Sequence, residues 1–124
     1  MPVKGYGDAN TIRTHMLNYK PDIVWFMTDP RFYEWLWEIE NEVRVNMPMV
    51  YYHVWDNFPD PVFNNIFYNS TDEVVCISKV THEILKNVSP DVSSRYHPHA
   101  VNSNIFYKYK TDEEKVKLQI LRNR

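Results

Sequence analysis

Short apolar runs that alternate with stretches of helical periodicity constrain this fold more than any other feature of the chain. The runs lie at residues 22–27, 49–52 and 74–77. Nearly continuous apolar runs of this length are typical of parallel strands that helices cover on both faces. We therefore expect these segments to be neighbouring strands of one buried parallel sheet.

Helical periodicity appears before, between and after these runs. The apolar faces are formed by Ile12, Met16 and Tyr19, by Phe32, Leu36, Ile39 and Val43, by residues 62–69, and by Val80, Ile84 and Val88. Asp29 and Ser78 are suited to cap the helices that follow them, Pro30 fits a first helical position, and Pro21 ends the first helix. With a short strand before His97, the order predicts an α/β fold with a doubly wound, Rossmann-like parallel sheet.

Composition and charge exclude several classes of protein. The net charge is −2, and Lys and Arg are scattered instead of forming a stripe, so we expect no nucleic-acid partner. Cys76 is the only cysteine and lies in a predicted strand, which indicates a small buried side chain and no disulfide framework. No stretch approaches the roughly twenty apolar residues that span a bilayer, and no signal-peptide pattern is present. We expect a cytoplasmic protein without a transmembrane segment.

Polar residues follow every predicted strand. They are Thr28 and Asp29, then His53, Asp56 and Asn57, then Ser78 and Lys79, and finally His97 and His99. In an open parallel sheet, ligands bind at the carboxyl ends of the strands, because loops and helix N-termini converge there. The sequence therefore predicts a binding site at this edge.

Each of these residues also has a structural interpretation. Helix capping alone could explain Asp29 and Ser78. Asp56 could form an Asx-turn, and a histidine at a strand end could hydrogen-bond to a nearby carbonyl. His53, His97 and His99 lack an acidic or thiolate partner at a spacing suited to zinc, so we predict no metal site.

Four segments together resemble one enzyme family. They are residues 20–24 (KPDIV), 49–53 (MVYYH), 72–79 (DEVVCISK) and 97–106 (HPHAVNSNIF). In this order they are similar to the N-terminal domain of GT-B glycosyltransferases of the group-1, retaining type. Ala100 and Asn102 stand where that family usually has Gly and Asp, so the turn of this loop is less certain.

The resemblance implies a sugar transfer from a nucleotide-sugar, which is a co-substrate, to a carbohydrate, lipid or protein acceptor, without a cofactor or metal. It implies that His53 is catalytic. It also implies substrate contacts from a set of residues at the same edge, namely Asp56, Asn57, Ser78, Lys79 and His99. The acceptor is expected on the N-terminal domain and the nucleotide-sugar on a C-terminal one.

The resemblance also sets the expected domain organisation. Residues 1–107 correspond to the C-terminal part of the acceptor-side domain, since Gly5 and Gly7 are the only glycines and no Gly-rich first turn is found. Residues 108–124 correspond to a linker and a charged helix, with Val116, Ile120 and Leu121 on one side, that leads to a donor-binding domain outside this chain. We interpret the chain as an internal piece of a longer protein.

Other classes of function stay open from the sequence. A sugar-nucleotide epimerase can share the GT-B fold, and a flavodoxin-like or receiver-like binding module has a similar strand near residues 20–25. A folded remnant without catalysis is a further alternative. The aromatic cluster at residues 32–37 could contact a lipid acceptor, a membrane surface or a partner, although packing against the sheet is the simpler use.

Overall fold

The computed structural model describes residues 5–108 and 111–122, and it contains one sheet of four parallel strands. The strands are β1 (Val24–Met27), β2 (Met49–His53), β3 (Glu73–Cys76) and β4 (Ser94–Tyr96). They lie side by side in sequence order. The predicted α/β class with a parallel, Rossmann-like sheet is confirmed, and the three apolar runs are adjacent strands as expected.

The helices occupy the positions that the periodicity predicts. They are α1 (Ala9–Tyr19), α2 (Glu34–Glu38), α3 (Glu40–Asn46), α4 (Asn65–Asn69), α5 (Lys79–Val88) and α6 (Asp112–Arg122), with 3₁₀ turns at Pro30–Tyr33 and Val62–Asn64. Asp29 and Ser78 cap the segments that follow them, as predicted, because each side chain accepts a backbone N–H from the first turn.

The helix predicted from Phe32 to Val43 is divided into three pieces. A 3₁₀ turn leads into α2, and Ile39 separates α2 from α3 with a non-helical φ of −117°. Two aromatic side chains fix the start of this region, since Tyr33 donates to the carbonyl of Met27 at 2.7 Å and Trp37 donates to that of Pro30 at 2.7 Å. These bonds tie the turn at Pro30–Tyr33 to the end of β1 and tie α2 to the start of that turn.

The main core lies on one face of the sheet. Phe26, Met49, Tyr51, Val74 and Cys76 point to this face, and α1 to α5 all pack against it. The buried residues contributed by the helices are Leu36, Val43, Tyr68, Leu85 and Val88, with Ile12 and Met16 of α1 partly buried. In α5 the buried face is Thr81, Leu85 and Val88 instead of Val80, Ile84 and Val88, and Val80 is exposed.

The opposite face, which we call the open face, carries no helix within the described residues. Its cluster is Val50, Tyr52 and Val75, with Val54 and Ile77 beside it. Trp25 is 52% exposed on the same side. The expectation of helices on both faces is therefore wrong for the part of the chain that the structure describes. Crossovers of one hand that join strands in sequence order place every connecting helix on one side.

The predicted charged helix is present as α6. Residues 109–110 and 123–124 of the predicted linker and helix lie outside the described residues. The α6 side chains Val116, Ile120 and Leu121 are more than half exposed. The aromatic cluster packs mainly on the sheet, because Tyr33, Trp35 and Trp37 contact the main core. No helix in the described ranges is both long and apolar enough to cross a membrane.

Candidate functional site at the carboxyl edge of the sheet

The strand register brings the predicted site residues to one edge of the sheet. His53 is level with Cys76 of β3, and Cys76 is level with Tyr96 of β4. Ser78 and His99 follow these strand ends within three residues. The expected common edge is confirmed, but His53 and His99 lie on opposite faces of the sheet.

His53 is fully buried on the helix side, at 0% exposure. Its Nε2 lies 2.8 Å from the Tyr68 hydroxyl, and Asn64 Nδ2 donates to the same hydroxyl oxygen at 3.4 Å. The imidazole therefore lies inside the core and not at the surface of the edge. The ring lies beneath α4 and α5, because even-numbered and odd-numbered positions of β2 alternate between the faces and Tyr68 occupies the space above position 53.

Burial sets the protonation state of His53. Removal of water from around the ring lowers the pKa of His53 to about 4, although the backbone of Thr81 opposes part of this shift. The imidazole is neutral near pH 7. Nδ1 has no hydrogen bond of normal geometry, and Asn64 Oδ1 is likewise buried without a partner.

The loop after β2 places Asp56 and Asn57 at the surface of the edge. Both are exposed. Asn57 Oδ1 accepts the backbone N–H of Phe58 at 2.8 Å, and the Asn57 carbonyl accepts Trp55 Nε1–H at 2.7 Å. The local Asx-type bond therefore belongs to Asn57 and not to Asp56, which leaves the Asp56 carboxylate directed to solvent.

Ser78 and Lys79 begin α5 at the same edge. Ser78 Oγ accepts the N–H of Thr81 at 3.0 Å and lies 2.7 Å from the Thr81 hydroxyl. The capping role of Ser78 is confirmed. The cap uses the same hydroxyl for which the family resemblance implies a substrate contact. Lys79 is exposed on the first turn of the helix.

His97 and His99 lead the chain across the open face. The His97 carbonyl accepts the Tyr52 hydroxyl at 3.2 Å, and the His99 ring stacks on Tyr52 with centroids 5.3 Å apart and planes 8° apart. Both histidines are exposed. His99 is thus held in position by an aromatic neighbour and stays accessible to a ligand.

One group of side chains at this edge escaped sequence reasoning. Arg31 Nε donates to Asp29 Oδ1 at 2.9 Å, and its guanidinium lies 4.7 Å from the centre of the Phe63 ring. Phe63 in turn meets Trp55 edge to face, with centroids 5.8 Å apart. The contact between Arg31 and Phe63 joins segments more than thirty residues apart, so no local pattern could have shown it.

Of the polar residues predicted at this edge, His97 is the one that lines any of three cavities found in the described residues. One, about 720 Å³, is at the amino edge of the sheet and is lined by residues that include Arg13, Lys20 and Glu42. A second, about 480 Å³, lies between α1 and β1, and a third, about 400 Å³, lies on the open face beside Trp25, Arg95 and His97. Ligands of parallel α/β sheets bind at the carboxyl edge, so cavity size alone does not identify the site.

The pKa values and the possible metal ligands at this edge give little further evidence about function. Hydrogen bonds from Arg31 hold the pKa of Asp29 below its usual value. Burial raises the pKa of the Cys76 thiol to about 12, which makes it unreactive near neutral pH. Among residues 5–108 and 111–122, no three His, Cys, Asp or Glu side chains are grouped so that they could hold a metal ion.

Comparison of the chain with protein-family models, with curated proteins and with solved structures finds no match. The family resemblance therefore rests on the four sequence segments alone.

Proposed function

We propose that this chain is the acceptor-side half of a GT-B glycosyltransferase, which transfers a sugar from a nucleotide-sugar to an acceptor. The observation that carries the proposal is that the segments which resemble the family lie in or beside neighbouring strands of one parallel sheet, and three of them, 49–53, 72–79 and 97–106, reach its carboxyl edge. This edge is where such sheets bind ligands.

The surface of the edge has groups suited to a hydroxylated substrate. Asp56 offers an exposed carboxylate, Lys79 offers an ammonium group and His99 offers an imidazole fixed by Tyr52. These groups can accept and donate hydrogen bonds to sugar hydroxyls. We assign substrate contacts to them and to the amide of Asn57.

His53 has a different part in this proposal. Since it is buried and bonded to Tyr68, we assign it to positioning the loop that carries Asp56 and Asn57, and not to contact with the sugar. Ser78 acts in the same way, because its hydroxyl fixes the first turn of α5 below Lys79.

The test measures the release of nucleoside diphosphate by the protein that the complete natural reading frame encodes. The proposal expects that frame to encode a second α/β domain with Lys or Arg after its first strands and two spaced glutamates on a later helix. Release should be measured with UDP-glucose, UDP-N-acetylglucosamine and GDP-mannose. No release from any of these donors, with a protein that is folded, would contradict the proposal.

Two lysines on one helix provide a matched control. Lys79 lies in the first turn of α5 at the carboxyl edge, whereas Lys86 lies in the last turn and donates to the carbonyls of Pro90 and Val92. Lys79→Ala should lower the release rate by roughly tenfold or more, on the scale of one lost hydrogen-bond donor. Lys86→Ala should leave the rate within about twofold, within the range usual for surface changes.

A further inference from the structure

A group of exposed aromatic and charged side chains lies at the carboxyl edge and suits one class of acceptor. We call Arg31, Trp55 and Phe63 the aromatic ledge. Phe63 is 49% exposed and the Arg31 side chain is 53% exposed, while Trp55 is partly exposed. The ledge lies next to Asp56, one of the residues assigned to substrate.

The ledge is held rigidly by contacts on both sides. Asp29 binds the Arg31 side chain and its backbone N–H, which sets the guanidinium over the Phe63 ring. On the other side, the Trp55 carbonyl accepts the Thr81 hydroxyl at 3.1 Å and Trp55 Nε1 donates to Asn57. Side chains fixed in this way lose little further conformational freedom when a ligand binds.

We propose that the aromatic ledge is the acceptor subsite and that the acceptor is an uncharged carbohydrate. This inference rests on the proposed function, because it names the class of acceptor for the same site. A pyranose ring has an apolar C–H face with a rim of hydroxyls. Arg31 covers one face of Phe63, and the C–H face fits the aromatic surface of Phe63 and Trp55 that stays exposed. The hydroxyls can bond to the charged groups beside it.

The charges on the ledge argue against an anionic acceptor and against a lipid acceptor. Asp29 neutralises Arg31, and Asp56 adds a negative charge nearby, so an anionic ligand finds little attraction. The Arg31–Asp29 pair lies on the ledge and Asp56 follows Trp55, and charged groups of this kind are a poor surface for a lipid tail. A neutral ring with both an apolar face and hydroxyls satisfies both parts of the surface.

Ligand-observed saturation-transfer NMR on the 124-residue chain tests this directly. The probes are methyl α-D-glucopyranoside, methyl α-D-mannopyranoside and methyl β-D-galactopyranoside. At least one should saturate with a Kd on the order of 1–10 mM, as befits a single ring. Failure of all three to show saturable transfer up to about 50 mM, well above that range, would overturn the ledge assignment.

Variants locate the binding. Phe63→Leu keeps an apolar side chain but removes the aromatic face, and we expect affinity to fall about tenfold, on the scale of one lost aromatic contact. Phe32→Ala is the control, because Phe32 is exposed to 50% but stacks on Tyr6 outside the ledge, and it should bind like the unchanged chain. Equal affinity in Phe63→Leu, or an equal loss in Phe32→Ala, would overturn the proposal. This experiment measures binding and not sugar transfer. A negative result would therefore overturn the acceptor subsite, while the transferase proposal is tested separately by nucleoside diphosphate release.

Discussion

At the scale of single residues, His53 is the position where burial decides the interpretation. The sequence placed it at a strand end with other polar groups, and the structure encloses it beneath Tyr68 and Asn64. A buried imidazole with one hydrogen bond contributes mainly to folding, because its removal leaves a cavity and takes away one of the two hydrogen bonds of the Tyr68 hydroxyl.

We therefore predict that His53→Ala lowers the free energy of unfolding by about 2–4 kcal/mol, the range for a cavity combined with a lost buried bond. His82→Ala is the matched control, because His82 also bonds through Nε2, to Ser94 at 3.1 Å, but is only partly buried. Its cost should stay below about 1 kcal/mol. Urea denaturation of both variants measures the difference, and equal costs would contradict the buried role of His53.

The pH dependence of stability follows from the same residue. The pKa of His53 is about 4 in the folded chain and about 6.5 when unfolded. Between these values the unfolded state binds the proton and the folded state does not, so stability is present above pH 6.5 and is lost as the pH falls toward 4. From pH 6.5 to 5 the loss should be about 1.5 kcal/mol.

Urea midpoints at these two pH values measure this slope, with His53→Gln as the comparison because glutamine does not titrate. Five carboxylates have pKa values lowered by partners, and their titration affects stability mainly below this window; they are Asp8, Asp29, Glu42, Asp72 and Glu73. An unchanged slope in His53→Gln would assign the pH dependence to other groups.

At the scale of elements, most strands and helices could be predicted, because each depends on a local pattern. The apolar runs gave β1 to β3, and Ser78 with the spacing of the following residues gave α5. The interruption at Ile39 could not be predicted from the apolar spacing, which continues through this position, whereas Tyr33 and Trp37 bond to carbonyls six and seven residues before them, outside any helical pattern. The one-residue shift of the α5 face has a similar cause, because Thr81 bonds to Trp55.

The same limit applies to the candidate site. Its edge could be predicted from the rule for parallel sheets, and Asp56, Asn57, Lys79 and His99 are exposed there. The aromatic ledge could not, because the contact between Arg31 and Phe63 depends on how separate loops pack. Apolar runs also do not show which face of a sheet is covered, so the open face became visible only in three dimensions.

The open face leads us to predict different effects of substitution at two neighbouring residues of β1. Trp25 is 52% exposed and Phe26 is 6% exposed, although they are adjacent in sequence. Trp25→Lys should change the free energy of unfolding by less than about 1 kcal/mol, as for other surface changes. Phe26→Lys should cost more than about 3 kcal/mol, because it buries an unpaired charge. Similar costs at the two positions, measured by urea denaturation, would mean that the open face is covered in solution.

At the scale of the whole molecule, the arrangement of charge separates the two substrates of the proposed reaction. The carboxyl edge has carboxylates at Asp29 and Asp56, and Arg31 is paired with Asp29. Among the described residues of this edge, Lys79 is therefore the main cation that faces solvent. One ammonium group is a weak site for a diphosphate, which enzymes usually hold with several donors or a metal ion.

We therefore predict that the 124-residue chain has negligible affinity for nucleotide-sugars, even though the carbohydrate subsite is present. Isothermal titration calorimetry with UDP-glucose and GDP-mannose should show no saturable heat below about 1 mM, which corresponds to a binding free energy weaker than about 4 kcal/mol. The control is the methyl pyranoside that binds best in the NMR titration, measured on the same preparation to show that the edge is folded. A micromolar Kd for either nucleotide-sugar would mean that the donor binds on this half, because a diphosphate cannot be held that tightly by Lys79 alone. The assignment of donor and acceptor to separate halves would then be wrong.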